Sequence, residues 1–152
     1  MRRGRSAALN MVITETGAGK AVGQVLPELQ GKLTANAVRV PTPNVSLAII
    51  NLRFAKDITL EELNDFLRQK AFHSDLKEQI GFTNSPEVVS TDFVGDRHAG
   101  IIDSAATIVN GNKCVLYVWY DNEFGYTAQL LGLAKEMVGL TYQRYPNFSE
   151  ST

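Results

Sequence analysis

The sequence predicts an α+β fold: a mostly antiparallel, mixed sheet with helices packed on one face. Three observations point there. The strand-like runs gather into stretches instead of alternating with helices, as a βαβ chain would require. Asn110-Gly111 between two apolar runs is a hairpin signal, because both residues tolerate positive φ. The helical patterns, with their own caps, stand apart from the strands.

The elements follow in chain order. Residues 2–15 read as an irregular basic loop. Thr16-Gly17 then opens a short helix over 18–26, closed by Pro27 and Gly31. Lys32 to Val40 reads as a strand stopped by Pro41-Thr42-Pro43, and Val45 to Phe54 as a longer strand rich in Val, Ile and Leu. Thr59-Leu60-Glu61-Glu62 is a capping box, with Ile58 and Leu63 spaced as a hydrophobic staple. Leu60, Leu63, Leu67 and Ala71 follow on one helical face, with Phe66 beside them. A helical turn over 75–79 comes next. Strands are then expected over 88–90, 101–103, 106–109 and 113–120, the last apolar on both faces and therefore central and covered on both sides. Asp121-Asn122 offers an N-cap for a closing helix, with Leu130, Leu131, Ala134, Met137 and Val138 on one stripe and Gly139 as its stop. The tail from Leu140 has few apolar anchors.

Composition bounds the function. The 152 residues are 44% hydrophobic and 20% charged, which is ordinary globular composition and enough for one domain with a core. No apolar run reaches the ~20 residues a membrane helix needs, and no apolar run follows Arg2-Arg3-Gly4-Arg5, so neither a membrane partner nor a signal peptide is expected. A single cysteine, Cys114, excludes an internal disulfide and forms no metal-ligand spacing with His73 or His98, which fits a reducing, cytoplasmic setting. Charge is unevenly spread. Residues 1–40 hold six Lys/Arg against Glu15 and Glu28, and the remainder holds nine against fourteen acidic residues. That basic front suits an anionic ligand, while composition alone favours a plain solvated terminus.

Several residues could carry chemistry. Gly17-Ala18-Gly19-Lys20 is not a P-loop, because Thr14 and Ala21 stand where that motif needs Gly and Ser or Thr. What remains is the Thr16 hydroxyl and the unobstructed Gly17 backbone at a helix start, which is either an anion site or a plain threonine N-cap. Arg39 sits late in a strand between Val38 and Val40. Its guanidinium fork suits a phosphate, or an ion pair with Asp92 or Asp103. Cys114 lies in an apolar strand with no neighbouring base, so it reads as a structural thiol and not a nucleophile. The run Trp119-Tyr120-Asp121-Asn122-Glu123-Phe124-Gly125-Tyr126 crowds aromatic and amide groups at a strand-to-helix junction. An amide there can read a carboxamide, while core aromatics plus a cap would account for most of the run.

Four segments, Arg2 to Arg5, Thr16 to Val22, Arg39 to Ser46 (RVPTPNVS) and Trp119 to Tyr126 (WYDNEFGY), resemble the phosphorylating glyceraldehyde-3-phosphate dehydrogenase family in its order and spacing. Erythrose-4-phosphate dehydrogenase is the main relative sharing them. The resemblance runs from Arg2 to about Gly139. It implies the family's C-terminal catalytic-domain fold, truncated at its N-terminal end. It also implies an enzyme that oxidises a phosphorylated aldehyde with NAD or NADP and inorganic phosphate. Thr16 and Gly17 match the site for attacking phosphate, with Arg3 nearby, and Arg39 matches the arginine that grips the substrate's phosphate. Asn122 matches the asparagine bonded to the nicotinamide carboxamide, and Tyr126 a tyrosine close to that ring.

On this resemblance residues 1–121 are a catalytic-domain portion, with 1–15 as the second half of the S-loop. Residues 122–139 are the helix that packs on an NAD-binding domain, and 140–152 a tail. The resemblance further implies a homo-oligomer, tetrameric in the family, in glycolysis or gluconeogenesis. The family's catalytic cysteine, in an S-C-T-T-N segment, and its histidine have no match in this sequence, so the chain alone is expected to be inactive. Nor has its nucleotide-binding domain, on which the closing helix packs, so the 130–138 stripe is expected to be bare. No nucleic-acid partner is expected. The reading from another class is a non-catalytic oligomerisation module whose basic loop binds a polyanion.

Overall fold

A computed structural model describes residues 9–140. The chain divides into two compact units, 1–43 and 44–152, each taken by itself below. The division falls inside the RVPTPNVS segment, where Pro41 and Pro43 interrupt backbone hydrogen bonding.

The first unit is a two-stranded antiparallel ribbon with a helix between its strands. Strand β1 (Val12–Thr14) pairs with β2 (Ala37–Arg39) in the register Val12↔Arg39 and Thr14↔Ala37. Helix α1 (Ala18–Val25) and a 3₁₀ turn over Pro27–Leu29 lie between them. Two expectations need correction. The stretch 2–15 was expected to be irregular, yet residues 12–14 form β1, because they find a partner in β2 across the intervening helix. The expected strand 32–40 shortens to three residues. Residues 33–36 have nothing to pair with once β1 has ended.

The second unit holds a five-stranded mixed sheet of β3 (Ser46–Arg53), β4 (Ile80–Thr83), β5 (Gly100–Asp103), β6 (Ile108–Asn110) and β7 (Lys113–Tyr120). With helices α1, α2 (Leu60–His73) and α3 (Asn122–Met137), the chain is α+β. β7 is central. It pairs with β3 along its whole length, while β5 and β6 share its other edge, all antiparallel. Only β4 and β5 run parallel.

β4 was not foreseen. It has four residues, one of them Gly81, and no alternation; its partner is set by the chain returning 20 residues later. The expected strand 88–90 is instead the approach to a 3₁₀ turn over Ser90–Phe93, because the Asp92 carboxylate accepts from Val89 N and curls the chain. The 106–109 strand moves to 108–110. The β6–β7 turn centres on Gly111-Asn112, with positive φ only at Gly111, so it is a type II′ hairpin one residue on from the expected pair.

The core has two clusters. Leu63 of α2 packs on Cys114 and Leu116 of β7, with Ile58 and Leu67 beside them, so the staple closes with Leu63 and Leu67 of the expected stripe on one sheet face, while Leu60 and Phe66 stay exposed. On the opposite face Trp119 stacks on Phe93, with ring centroids 5.5 Å apart, beside Val45 and Ile101. Coverage of β7 on that face is confined to the Trp119 end. Ile49 and Ile108, further along, stay exposed, as does Leu47 beside Trp119.

Helix α2 carries the capping box in full, with Glu62 N donating to Thr59 Oγ1 and Thr59 N to Glu62 Oε2. Helix α3 ends in a Schellman turn. Gly139 N donates to Glu136 O and Leu140 N to Lys135 O, with Gly139 at φ 68°. No helix among the described residues is long and apolar enough to cross a membrane, and they hold no cluster of His, Cys, Asp and Glu that could bind a metal.

Candidate functional site

Within the first unit, Arg39 and Thr14 are diagonal neighbours on one face of the β1–β2 ribbon. Arg39 Nε donates to Thr14 Oγ1 at 3.2 Å, and Thr14 is buried. One edge of the guanidinium is thus anchored, while the residue is exposed and its terminal nitrogens form no ion pair among the described residues. Asp92 and Asp103, weighed as partners from the sequence, lie in the second unit. Asp92 accepts from Val89 N, and Asp103 accepts from Ala106 N and from Trp119 Nε1.

Thr16 and Gly17 precede α1. The N-cap position is Gly17, with φ −83° and ψ 0°, and no side chain caps the helix. Thr16 Oγ1 accepts from Ala18 N at 3.3 Å, which is a local turn ahead of the helix and not a cap on its second or third N–H. Nothing lies within 4 Å of where a Gly17 Cβ would sit, and its φ is open to any residue. Neither the fold of this chain nor its neighbours therefore requires glycine there. Arg3 lies outside the described residues.

Within the second unit, the junction of β7 and α3 gathers four hydrogen bonds on one carboxylate. Asp121 is 3% exposed and caps α3 by accepting from Glu123 N and Phe124 N through Oδ1. Its Oδ2 accepts from Gly95 N at 2.9 Å and Asn44 Nδ2 at 3.0 Å. The N–H groups of Gly95 and Phe124 hold its carboxyl below the ordinary range. Desolvation opposes them, and Glu123 N–H and the Asn44 amide add to the lowering. Asn44 Oδ1 in turn accepts from Val45 N at 2.7 Å.

Val45 is buried against Phe93 and Ile101 at φ 70°, the only positive φ outside glycine among the described residues. A β-branched residue in that region costs roughly 1–3 kcal/mol, and such strain persists only where the surroundings enforce it. Ser46 follows, and its Oγ donates to Asn122 Oδ1 at 2.6 Å. Asn122 is exposed at the first turn of α3. Tyr126, one turn on and 71% exposed, shares its face. Gly125 fits between them because a Cβ there would lie 2.7 Å from His98 O.

The chain matches the family described as glyceraldehyde 3-phosphate dehydrogenase, C-terminal domain, over residues 1–122. It belongs to that family. A glyceraldehyde-3-phosphate dehydrogenase-like protein of Pseudomonas aeruginosa (strain UCBPP-PA14) is 61% identical over 145 residues, which are 95% of this chain and 32% of that protein. Glyceraldehyde-3-phosphate dehydrogenase 2 of Mucor circinelloides f. lusitanicus is 50% identical over 133 residues, 87% of the chain and 39% of that protein. Glyceraldehyde-3-phosphate dehydrogenase of Borreliella burgdorferi is 45% identical over 141 residues, 91% and 42% respectively. The chain therefore spans about a third to two-fifths of the length of these curated relatives.

Membership in the glyceraldehyde-3-phosphate dehydrogenase family accounts for the α+β sheet; within the second unit, Asn44 and Ser46 meet the WYDNEFGY segment at the β7–α3 junction. Sequence reading offered Asn122 as a candidate and Asp121 as a cap, but not Asn44 and Ser46 as their partners. No local signal could have found them, because the bonds span 76 and 77 residues.

Proposed function

We propose that this chain is the phosphate-recognising and nicotinamide-contacting part of a phosphorylating aldehyde dehydrogenase. The reaction converts D-glyceraldehyde 3-phosphate, inorganic phosphate and NAD (or NADP) to 1,3-bisphosphoglycerate and the reduced cofactor, in the cytoplasm. The observation that supports this most directly is Arg39, an exposed guanidinium anchored at Nε by Thr14 with its terminal nitrogens open. That is a bidentate phosphate donor already oriented. Thr16 and Gly17 supply a hydroxyl and an unshielded backbone for the second phosphate, with Arg3 beside them by family resemblance. The open space at the Gly17 Cβ position suits close approach of an anion to the backbone.

The donor set at the α3 start fits a nicotinamide carboxamide. Asn122 is an exposed amide, and Tyr126 presents a ring on the same helical face. The cofactor, when bound, accepts a hydride; this chain's residues bind and orient. The nucleophilic thiol is not Cys114, which is 2% exposed and whose thiol burial pushes up. The 152-residue chain alone is accordingly inactive. The family's homo-oligomer is our reading of its assembly, supported by the exposed apolar residues of α3 and of the sheet.

The test is Arg39→Ala in the full-length protein that contains this chain. The specificity constant for the phosphorylated aldehyde should fall about 30- to 1,000-fold and that for an unphosphorylated aldehyde should barely move. Equal losses would make Arg39 a structural residue and end the assignment. Thr16→Ala should instead raise the KM for inorganic phosphate.

A further inference from the structure

We propose that Ser46 is a positioning residue that sets which edge of the Asn122 carboxamide faces the ligand. This rests on the reading of Asn122 as the contact for a nicotinamide carboxamide. The observation is the 2.6 Å contact from Ser46 Oγ to Asn122 Oδ1. Hydroxyl-to-oxygen bonds centre near 2.7–2.8 Å and amide N–H to oxygen bonds near 2.9–3.0 Å, so this length selects the amide oxygen, and not its nitrogen, as the atom facing Ser46. The hydroxyl donates and Oδ1 accepts. Nδ2 is left with two N–H groups and no partner among the described residues, on an exposed side chain.

Unrestrained, the Asn122 amide can rotate half a turn about its last bond and offer a ligand either an acceptor or donors. The Ser46 bond removes that choice. The outward edge is a donor pair, and the group it complements is a carbonyl oxygen, such as that of a carboxamide.

Ser46 is itself held from three sides. It pairs with Tyr120 in the β3–β7 ladder, so it sits two residues from Asn122 across the sheet. The left-handed turn at Val45 aims the residue after it, and that turn is fastened by Asn44, which accepts from Val45 N and donates to Asp121. Two adjacent side-chain bridges, Asn44–Asp121 and Ser46–Asn122, thus clamp the start of β3 to the start of α3.

The experiment measures NAD dissociation constants by calorimetry on the full-length protein that contains this chain, with thermal midpoints recorded alongside. Asn122→Ala should weaken binding about 10-fold and Ser46→Ala about 5-fold, a normal hydrogen-bond loss in each case. Because Ser46 acts through Asn122, the double variant should bind no more weakly than Asn122→Ala, whereas independent effects would multiply to about 50-fold. Ser46→Thr keeps the hydroxyl in a strand that accepts β-branching, and should bind within about 2-fold of the parent. Ser46→Ala should melt only slightly below the parent, by the loss of one exposed hydrogen bond. If it is too unstable to measure, Ser46→Cys takes its place. A multiplicative double variant, or a Ser46→Ala that binds like the parent while Asn122→Ala does not, overturns the positioning role alone. An Asn122→Ala that binds NAD normally overturns the cofactor reading and this inference with it.

Discussion

Helices α2 and α3 begin alike and end differently. Each has a side-chain cap, Thr59 with Glu62 in one and Asp121 in the other. Helix α2 then lays Leu63 and Ala71 into the protein, at 4% exposure each, with Leu63 against Cys114 and Leu116. Helix α3 buries only Gly125. Its stripe stays in the open, with Leu130, Leu131, Leu133, Met137 and Val138 between 53% and 79% exposed. A cap is a local event that four residues decide, whereas an apolar stripe needs a surface from elsewhere in the chain. The hold on α3 is concentrated at its first turn, where Asp121 gathers four hydrogen bonds and Asn122 meets Ser46. Further along, Gln129 reaches the carbonyls of Glu78 and Arg97. The residues that present Asn122 are therefore also the ones that fasten the helix.

Truncation on the two stripes should break this comparison if it is wrong. Leu63→Ala is expected to cost about 2–5 kcal/mol in chemical denaturation, since it removes a large side chain from a closed cluster. The same change at Leu131, measured on the 152-residue chain at a dilution where it is monomeric, should stay within about 0.5 kcal/mol. Equal losses would mean that the α3 stripe is covered in the monomer.

Asp121→Ala should come next. It strands the N–H groups of Gly95, Glu123 and Phe124 and the Asn44 amide together, so its thermal midpoint should fall further than that of Thr59→Ala, which loses one cap at about 1 kcal/mol. If the two fell equally, Asp121 would be a simple cap and not a node.

Acid titration sharpens the same point. The folded state lowers the Asp121 pKa, so its contribution is fully present above the ordinary carboxylate value near ~3.9 and is lost as pH falls through the lower folded value. Asp121→Asn should flatten the acid limb of the stability curve below about pH 4 while remaining a serviceable cap at neutral pH. Glu62, lowered chiefly by its bonds from the Thr59 backbone and hydroxyl, should act in the same direction at the α2 start. An Asp121→Asn curve parallel to the parent's would remove Asp121 from this account. The smallest effect concerns Cys114. A thiol buried at 2% exposure should react with a maleimide only slowly in the native protein, and at full rate once the protein is unfolded.

The α3 stripe was expected to be bare from family resemblance and not from its periodicity, which reads the same in a buried helix as in an exposed one. Arg39 was equally ambiguous in sequence. A fork between Val38 and Val40 suits phosphate or carboxylate alike, and what the fold adds is Thr14, 25 residues away, accepting from its Nε.

The sequence by itself determined what short-range chemistry decides. The capping box at Thr59, the Asp121 cap, the Gly139 stop and the β6–β7 turn to within one residue are each written in a few neighbouring residues, because orphan N–H and C=O groups and positive φ are local demands. The RVPTPNVS and WYDNEFGY segments likewise carried the family. Tertiary structure alone decided the rest. It made β1 and β4 strands by supplying partners, and left α3's stripe without one. Through the β3–β7 register it set Asn44 against Asp121 and Ser46 against Asn122, across 76 to 77 residues. Val45 has no local reason for φ 70°. It holds that conformation because its side chain is seated among Phe93 and Ile101 while Asn44 fastens its N–H, and both constraints exist only once the sheet has formed.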